Sequence, residues 1–428
     1  MSAPLAYRAG VLQLDGTPLA PLAAEHGTPL YVYAAGEMRR RLSRLEAAFA
    51  PTRPLFCYAL KANPTLAVVA TLARTGAGAD VVSGGELARA RAAGVAPDRI
   101  VFAGVGKSRD EIEQGLAAGI LQFNVESLEE LRLVDAVAAE RGVAAPVALR
   151  LNPDVAATTH DKIATGRRHD KFGIGAERLG EVLALVRGLD HVRVVGLHCH
   201  IGSQIAVVED FERAYRRMVE LYRFVRGEGL PLERLNLGGG FGIRYADERE
   251  LDVEAFAAMA RGVTAELGCG LVFEPGRFLV AAAGVLLSRI LLVKSGSDGR
   301  RFVVLDAGMN TLLRPALYGA VHPVHPLRHA ADDAVDVVDV VGPICESGDV
   351  FARDVPLARA RAGELVAFAN AGAYGAVMAS DYNSRGRAGE ILVEGGRSAV
   401  VKPPRPPAAL FADEAVPTWL EPAPTAGS

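Results

Sequence analysis

From residue 55 onward, short apolar or β-branched runs recur at intervals of roughly 20 to 40 residues, separated by segments with helical periodicity. The runs cover 55–60, 79–82, 100–103, 121–125, 147–151, 193–199, 234–237 and 271–274. Between them lie segments such as SRDEIEQGLAAG (108–119), LEELRLVDAVAAERG (128–142) and FERAYRRMVELYRFVRGEG (211–229). These are rich in Ala, Leu, Glu and Arg and often close on glycine, a common helix stop. Eight strand-then-helix units predict an α/β fold, a (β/α)8 TIM-type barrel, with a doubly wound open sheet as the competitor. After about residue 280 the texture changes to strands without regular helices between them: VLLSRILLVKS, RFVVLDAG, VDVVDVVG, ELVAFAN, EILVEGG and SAVVK. This predicts a second, mostly β domain of sandwich or barrel-like form. The first 30 residues, with the hairpin-like VLQLDGTPL, show no helix–strand rhythm and are assigned to it as well. The expected organisation is 1–30 as the N-terminal part of the β domain, 31–280 as the barrel, 281–402 as the C-terminal β domain and 403–428 as a tail. Seven prolines between Pro403 and Pro424 argue for a loose segment there.

Composition narrows the partners. With 428 residues, half of them hydrophobic, the chain can hold a sizeable core in two domains, or three at most. A net charge of −3 and a pI near 6.3 give no general basic field for nucleic acid or anionic lipid, so a small-molecule partner is expected. The four cysteines (Cys57, Cys199, Cys269, Cys345) are far apart and form no CxxC, which argues against a disulfide framework and a structural zinc site. The N-terminal stretch lacks the basic region and unbroken apolar core of a secretion signal. No uncharged apolar run approaches the ~18 residues that span a bilayer, so a cytoplasmic location is expected.

In a barrel of this kind chemistry sits at the C-terminal ends of the strands. The first run ends in Lys61, the second carries Asp80 and leads into SGGE (83–86), and the fifth ends in Arg150 and Asn152. The sixth ends in HCHIGSQ (198–204), the seventh in GGGFG (238–242) and the eighth in EPGR (274–277). Any one of these could be a satisfied structural polar group; converging on one mouth, they favour a site. Loops after the last two strands commonly bind phosphate, and consecutive glycines such as Gly239 and Gly240 let backbone N–H groups approach an anion. Beside Ser203 and Arg277 they make a phosphate cradle. Lysine is almost never buried without a partner, so Lys61, facing that cradle and the Glu274 carboxylate, suggests a Schiff base with pyridoxal 5'-phosphate. Glu274 would then hold the pyridine nitrogen protonated and strengthen the ring as an electron sink. His198 and His200 point to the same side of a strand, which permits a metal pair in principle, but no third ligand follows. A neutral His200 stacked on a flat cofactor requires fewer assumptions, and His198 is open to a structural reading. No metal is expected.

These residues, in this order, resemble the fold-type III pyridoxal-phosphate decarboxylases, and within them the branch acting on meso-diaminopimelate. The marks are YALKANP (58–64), SGGE (83–86), FAGVGKS (102–108), KFGI (171–174), GLHCHIGSQ (196–204), LGGGFG (237–242) and EPGR (274–277). They continue in RPALYGA (314–320), CESGD (345–349), GAYG (372–375) and YNSR (382–385). The resemblance covers nearly the whole chain and implies a barrel plus β domain, a head-to-tail homodimer with active sites at the subunit junction, and conversion of meso-diaminopimelate to L-lysine. It implies that Lys61 carries the cofactor, His200 stacks on the ring, Glu274 meets the pyridine nitrogen, and Ser203, Gly240, Gly276 and Tyr374 hold the phosphate. Arg277, Arg314 and Tyr318 resemble the clamp for the substrate's far carboxylate, Glu346 the acceptor of its far ammonium, and Cys345 of a neighbouring subunit the proton donor. A substrate with a zwitterion at each end requires such a division between guanidinium and carboxylate groups. The family often has proline after the arginine of the YNSR segment, where this chain has Gly386. The acidic run Asp332, Asp333, Asp336 and Asp339 reads as a solvated face. The nearest competing reading is a decarboxylase of the same fold acting on ornithine, arginine, a carboxylated polyamine or a carrier-bound amino acid. A catalytically dead binding homologue should have lost Lys61 or Cys345, and neither is lost.

Overall fold

The structure, a computed structural model, describes residues 4–154, 171–329 and 334–420. Its centre is a closed parallel barrel of the strands Leu55–Ala59, Gly78–Val81, Ile100–Phe102, Gln122–Val125, Ala145–Asn152, Val192–His198, Arg234–Asn236 and Gly270–Phe273. Each pairs with the next, and Val272 and Phe273 pair back onto Leu55 and Phe56, which closes the ring and excludes the open sheet. These strands read as largely apolar runs because both faces are covered, by side chains inside and helices outside.

The helices start and stop where local chemistry says they should. Arg109–Ala118 opens on Ser108, whose hydroxyl accepts from the Glu111 N–H while the Glu111 side chain accepts from the Ser108 N–H, and it closes on left-handed Gly119. Leu128–Arg141 is capped by Ser127 and ends on Gly142 in the same way.

A second sheet runs in the order Val350–Ala358, Val335–Val341, Arg301–Leu305, Gly284–Ser295, Leu30–Ala34, Gly389–Glu394 and Arg397–Lys402. Off this path, Leu365–Phe368 pairs with Gly284–Ser295, and Val324–Pro326 pairs with Leu365–Phe368. Leu30–Ala34 lies antiparallel to Gly284–Ser295 and parallel to Gly389–Glu394, so this sheet extends through residue 34, past the position where the barrel was expected to begin. The N-terminal hairpin Leu5–Arg8 and Val11–Leu14 and the helix Leu19–His26 pack Leu12, Leu14, Leu19 and Leu22 against Leu30, Val285, Leu287 and Ile391 of that sheet. The first part of the tail keeps one ordered anchor, Arg405, which exchanges backbone hydrogen bonds with Arg387.

The described part of the acidic run, Asp336 and Asp339, is not a solvated face. Asp339 is buried on the strand Val335–Val341, where it accepts from Arg300 and the Asp354 N–H and lies near Arg353; Asp336 pairs with Arg301 and Arg359. Both carboxylates therefore serve as acceptors for arginines of neighbouring chain segments. Asp332 and Asp333 lie outside the described residues. Among the described residues, no helix is long and apolar enough to cross a membrane.

Candidate active site

A cavity of about 700 Å³ opens at the C-terminal ends of the barrel strands. Lys61, His198, His200, Ser203, Tyr245, Glu274, Arg277, Arg314, Tyr318 and Tyr374 all line it. Lys61 stands in the turn Leu60–Ala62 directly after the first strand, where the extended chain tightens toward Pro64. Its Nζ lies 3.2 Å from Oδ2 of Asp80, which is fully buried on the second strand. Burial acts to lower the lysine's pKa, but Asp80, Tyr374 and Glu274 outweigh it and hold the amine protonated. Burial and the neighbouring carboxylates push Asp80 up, while Lys61 opposes them.

Glu274 follows the eighth strand and is buried under its own set of donors. Oε1 accepts from Asn124 Nδ2 (2.9 Å) and Asn236 Nδ2 (2.7 Å), and Oε2 lies 3.2 Å from His198 Nε2. Burial alone would raise this carboxyl; the His198 contact and the Lys61 charge overcome it and hold Glu274 well below the usual carboxylate range. His200 is the opposite case. Burial, then the Lys61 and Arg150 charges, push its imidazole well below its ordinary value. It is therefore neutral, and its Nδ1 accepts the Gly239 N–H at 3.2 Å.

The glycine loop is fixed by crowding. Gly240 has φ +97°, and a Cβ there would stand 2.3 Å from the Gly202 carbonyl oxygen, so only glycine fits. Gly239 is pressed against the Glu274 backbone, which seats the glycine loop on the end of the eighth strand, and Gly276 against Ala59 and Ala62, which flank Lys61 closely in the chain. Arg277 is buried; it donates to Ser203 Oγ (3.1 Å) and to the Tyr245 hydroxyl (2.7 Å), and its guanidinium lies 4.8 Å from the Tyr374 ring centre. Its Nε is buried with no protein partner. Arg314, at the start of the short helix Arg314–Tyr318, donates to the same Tyr245 hydroxyl at 2.7 Å and lies 3.2 Å from His322 Nε2.

Cys345 and Glu346 do not join the other predicted site residues. They sit on an exposed loop of the β domain, do not line the cavity, and are held by Asn383, whose Oδ1 accepts the Cys345 N–H, and by Tyr382, whose hydroxyl donates to Glu346. Sequence reasoning missed Asn124, Asn236, Tyr245 and His322. The asparagines carry a faint signal: each is an amide at a fully buried position of a barrel strand. Tyr245 lies five residues beyond Gly240 in a loop without a recognisable pattern.

The site meets the requirements of pyridoxal 5'-phosphate. An ionised carboxylate is held within a protein-built donor shell, a neutral imidazole flanks it, and the glycine loop lies beside a guanidinium with an unspent donor. The family described as "Pyridoxal-dependent decarboxylase, pyridoxal binding domain" matches residues 35–281. The diaminopimelate decarboxylase of Zymomonas mobilis is 43% identical over 97% of this chain and 100% of its own length. That of Pseudomonas aeruginosa is 45% identical over 96% and 98%. The crystal structure of diaminopimelate decarboxylase from M. jannaschii in co-complex with L-lysine superposes with a TM-score of 0.92 at 37% identity, covering 97% of this chain and 99% of that one.

Proposed function

The chain belongs to the pyridoxal-dependent decarboxylases, and from that premise we propose how its residues divide the work. The reaction is the pyridoxal-phosphate-dependent decarboxylation of meso-2,6-diaminopimelate to L-lysine and CO2, the last step of lysine biosynthesis. The bound cofactor supplies an electron sink for the pair left behind when the carbon–carbon bond to the carboxylate breaks. Lys61 Nζ would be its covalent anchor. Glu274 would keep the pyridine nitrogen protonated, and the two asparagines and His198 support Glu274 in its ionised form. His200 would stack on the ring, where a neutral imidazole adds no charge to compete with Glu274. Ser203, Gly239, Gly240, Gly276, Arg277 and Tyr374 would hold the phosphate.

Specificity falls to the other side of the cavity. Arg277 and Arg314, with Tyr318 and Tyr374, receive the carboxylate of the centre that does not react. The observation that carries this reading is the presence of two buried guanidiniums in one cavity with Lys61 and an ionised Glu274. An amino acid with only an amine at its far end would leave Arg314 facing no anion, at the cost that unpaired buried charge carries. Cys345, as donor of the proton that replaces CO2, and Glu346, as acceptor of the far ammonium, would enter from a second copy of the chain. Their exposure, and their position away from the cavity of their own chain, support a homodimer with shared sites. A small substrate with a zwitterion at each end does not cross a bilayer unaided, which supports a cytoplasmic location.

The test is product analysis after incubating the purified protein and cofactor separately with meso-diaminopimelate, L-ornithine and L-arginine. Release of CO2 and L-lysine from the first alone is the expected result. Equal or faster turnover of ornithine or arginine would overturn the substrate assignment.

A further inference from the structure

Tyr245 occupies an unusual position. Its hydroxyl oxygen accepts from Arg277 Nη1 and from Arg314 Nη1, both at 2.7 Å, and its ring lies 5.9 Å and 4.8 Å from the two guanidinium carbons. Both arginines are buried, at 8% and 7% exposure, so their mutual repulsion is poorly screened by water. A phenol oxygen and an electron-rich ring face placed between them offset that repulsion without introducing a full negative charge. A carboxylate at this position would neutralise the pair and compete with the substrate for it. A phenol fixes the pair and leaves its positive charge unspent.

The second support comes from the β domain. His322 Nδ1 lies 3.0 Å from the Ala369 carbonyl oxygen, so it carries the proton, and Nε2 is left to accept from Arg314. Burial and the Arg314 charge push this imidazole down to about 3, which keeps it in that neutral form. The chain of contacts runs from Ser203 through Arg277, Tyr245 and Arg314 to His322, and so joins the barrel to the β domain.

We propose that Tyr245 is a positioning residue that sets substrate specificity: its hydroxyl, held between Arg277 and Arg314, fixes the two guanidiniums at the spacing that receives the carboxylate of the non-reacting centre. This rests on the clamp assigned to those arginines above. The product L-lysine retains that carboxylate, and cadaverine is the same molecule without it. The two inhibitors therefore differ by the one group the clamp would hold.

The experiment compares inhibition of holoenzyme by L-lysine and by cadaverine in wild type and Tyr245→Phe, which keeps the ring and removes only the oxygen. The ratio of cadaverine to lysine inhibition constants should fall about tenfold or more in the variant, the scale of one charge-assisted hydrogen bond. The cadaverine constant, read with the cofactor site saturated, should stay within about twofold, a change worth less than one such bond. KM for meso-diaminopimelate should rise more than kcat falls. In a double-mutant cycle, Tyr245→Phe should add little to Arg314→Met, because it acts through that arginine. Should Tyr245→Phe not fold, Tyr245→His, whose ring restores an acceptor, takes its place and should retain the wild-type ratio. Equal weakening of both inhibitors, an unchanged ratio in Tyr245→Phe, or full additivity with Arg314→Met would overturn the proposal. A wild-type enzyme that does not prefer L-lysine to cadaverine would remove the arginine clamp itself, and this inference with it.

Discussion

Replacing Glu274 with glutamine isolates one charge with little other disturbance. Both asparagine amides donate to Oε1, which the glutamine carbonyl reproduces. The new NH2 group would face His198 Nε2, and His198 can accept from it by moving its proton to Nδ1, which has no partner in the protein. The fold should therefore tolerate the change, and the loss is electrostatic. At an effective dielectric of about 20, a carboxylate and a pyridinium roughly 4 Å apart attract by about 4 kcal/mol. Losing that support in the transition state should lower kcat by about a thousandfold. The assay is CO2 release at saturating meso-diaminopimelate, with cofactor occupancy and melting temperature measured on the same samples. If Glu274→Gln turns over within tenfold of wild type while fully loaded, the carboxylate is not the group that keeps the ring nitrogen protonated.

Borohydride should fix the cofactor on the wild-type chain and not on Lys61→Ala; peptide mapping that finds the label on Lys107 or Lys171 would assign the anchor elsewhere. Lys61→Ala and Cys345→Ala should each be nearly inactive, and their mixed dimers should regain about half the activity per dimer, because two-fold symmetry leaves one site with neither lesion. Heterodimers that form and stay inactive would place Cys345 outside the partner's site. His322 is depressed from 6.5 to about 3. Its contribution to stability is thus complete above the unfolded value and is lost as pH falls through that window. Melting curves from pH 7 to 4 should therefore flatten in His322→Asn relative to wild type, and parallel curves would refute the linkage.

Much of the fold was legible because a doubly covered parallel strand leaves an apolar run in the sequence, and eight such runs in rhythm admit few architectures. The strand Val350–Ala358 was not, since VFARDVPLA interrupts its apolar positions with Arg353, Asp354 and Pro356. Glu274 itself stood out in EPGR, but its environment did not. Asn236, His198 and Asn124 are 38, 76 and 150 residues away along the chain and meet it only when the barrel closes. The acidic run was misread for a related reason. Closely spaced carboxylates look solvated until strand pairing brings Arg300, Arg301, Arg353 and Arg359 beside Asp336 and Asp339.

The restraints on the exposed CESGD loop support the proposal that Cys345 and Glu346 serve a partner's site. Asp349 accepts from the Met309 and Ile344 N–H groups at 2.6 and 2.7 Å, tying the base of the loop to the turn before Arg314. Asn383 and Tyr382 of YNSR hold Cys345 and Glu346 from the other side, and Asn383 adopts φ +56° to do so. A surface loop with no function would gain little from four such restraints, and left-handed backbone at a non-glycine residue carries a cost of its own. A residue that must reach a reacting atom across an interface needs this order in advance, because ordering entropy not paid within its own chain would be paid on every approach to the substrate. Rigidity without burial is what a thiol and a carboxylate would need in order to serve a second chain. That one physical demand links CESGD to YNSR, although the residues that meet, Cys345 with Asn383 and Glu346 with Tyr382, lie 38 and 36 positions apart along the chain.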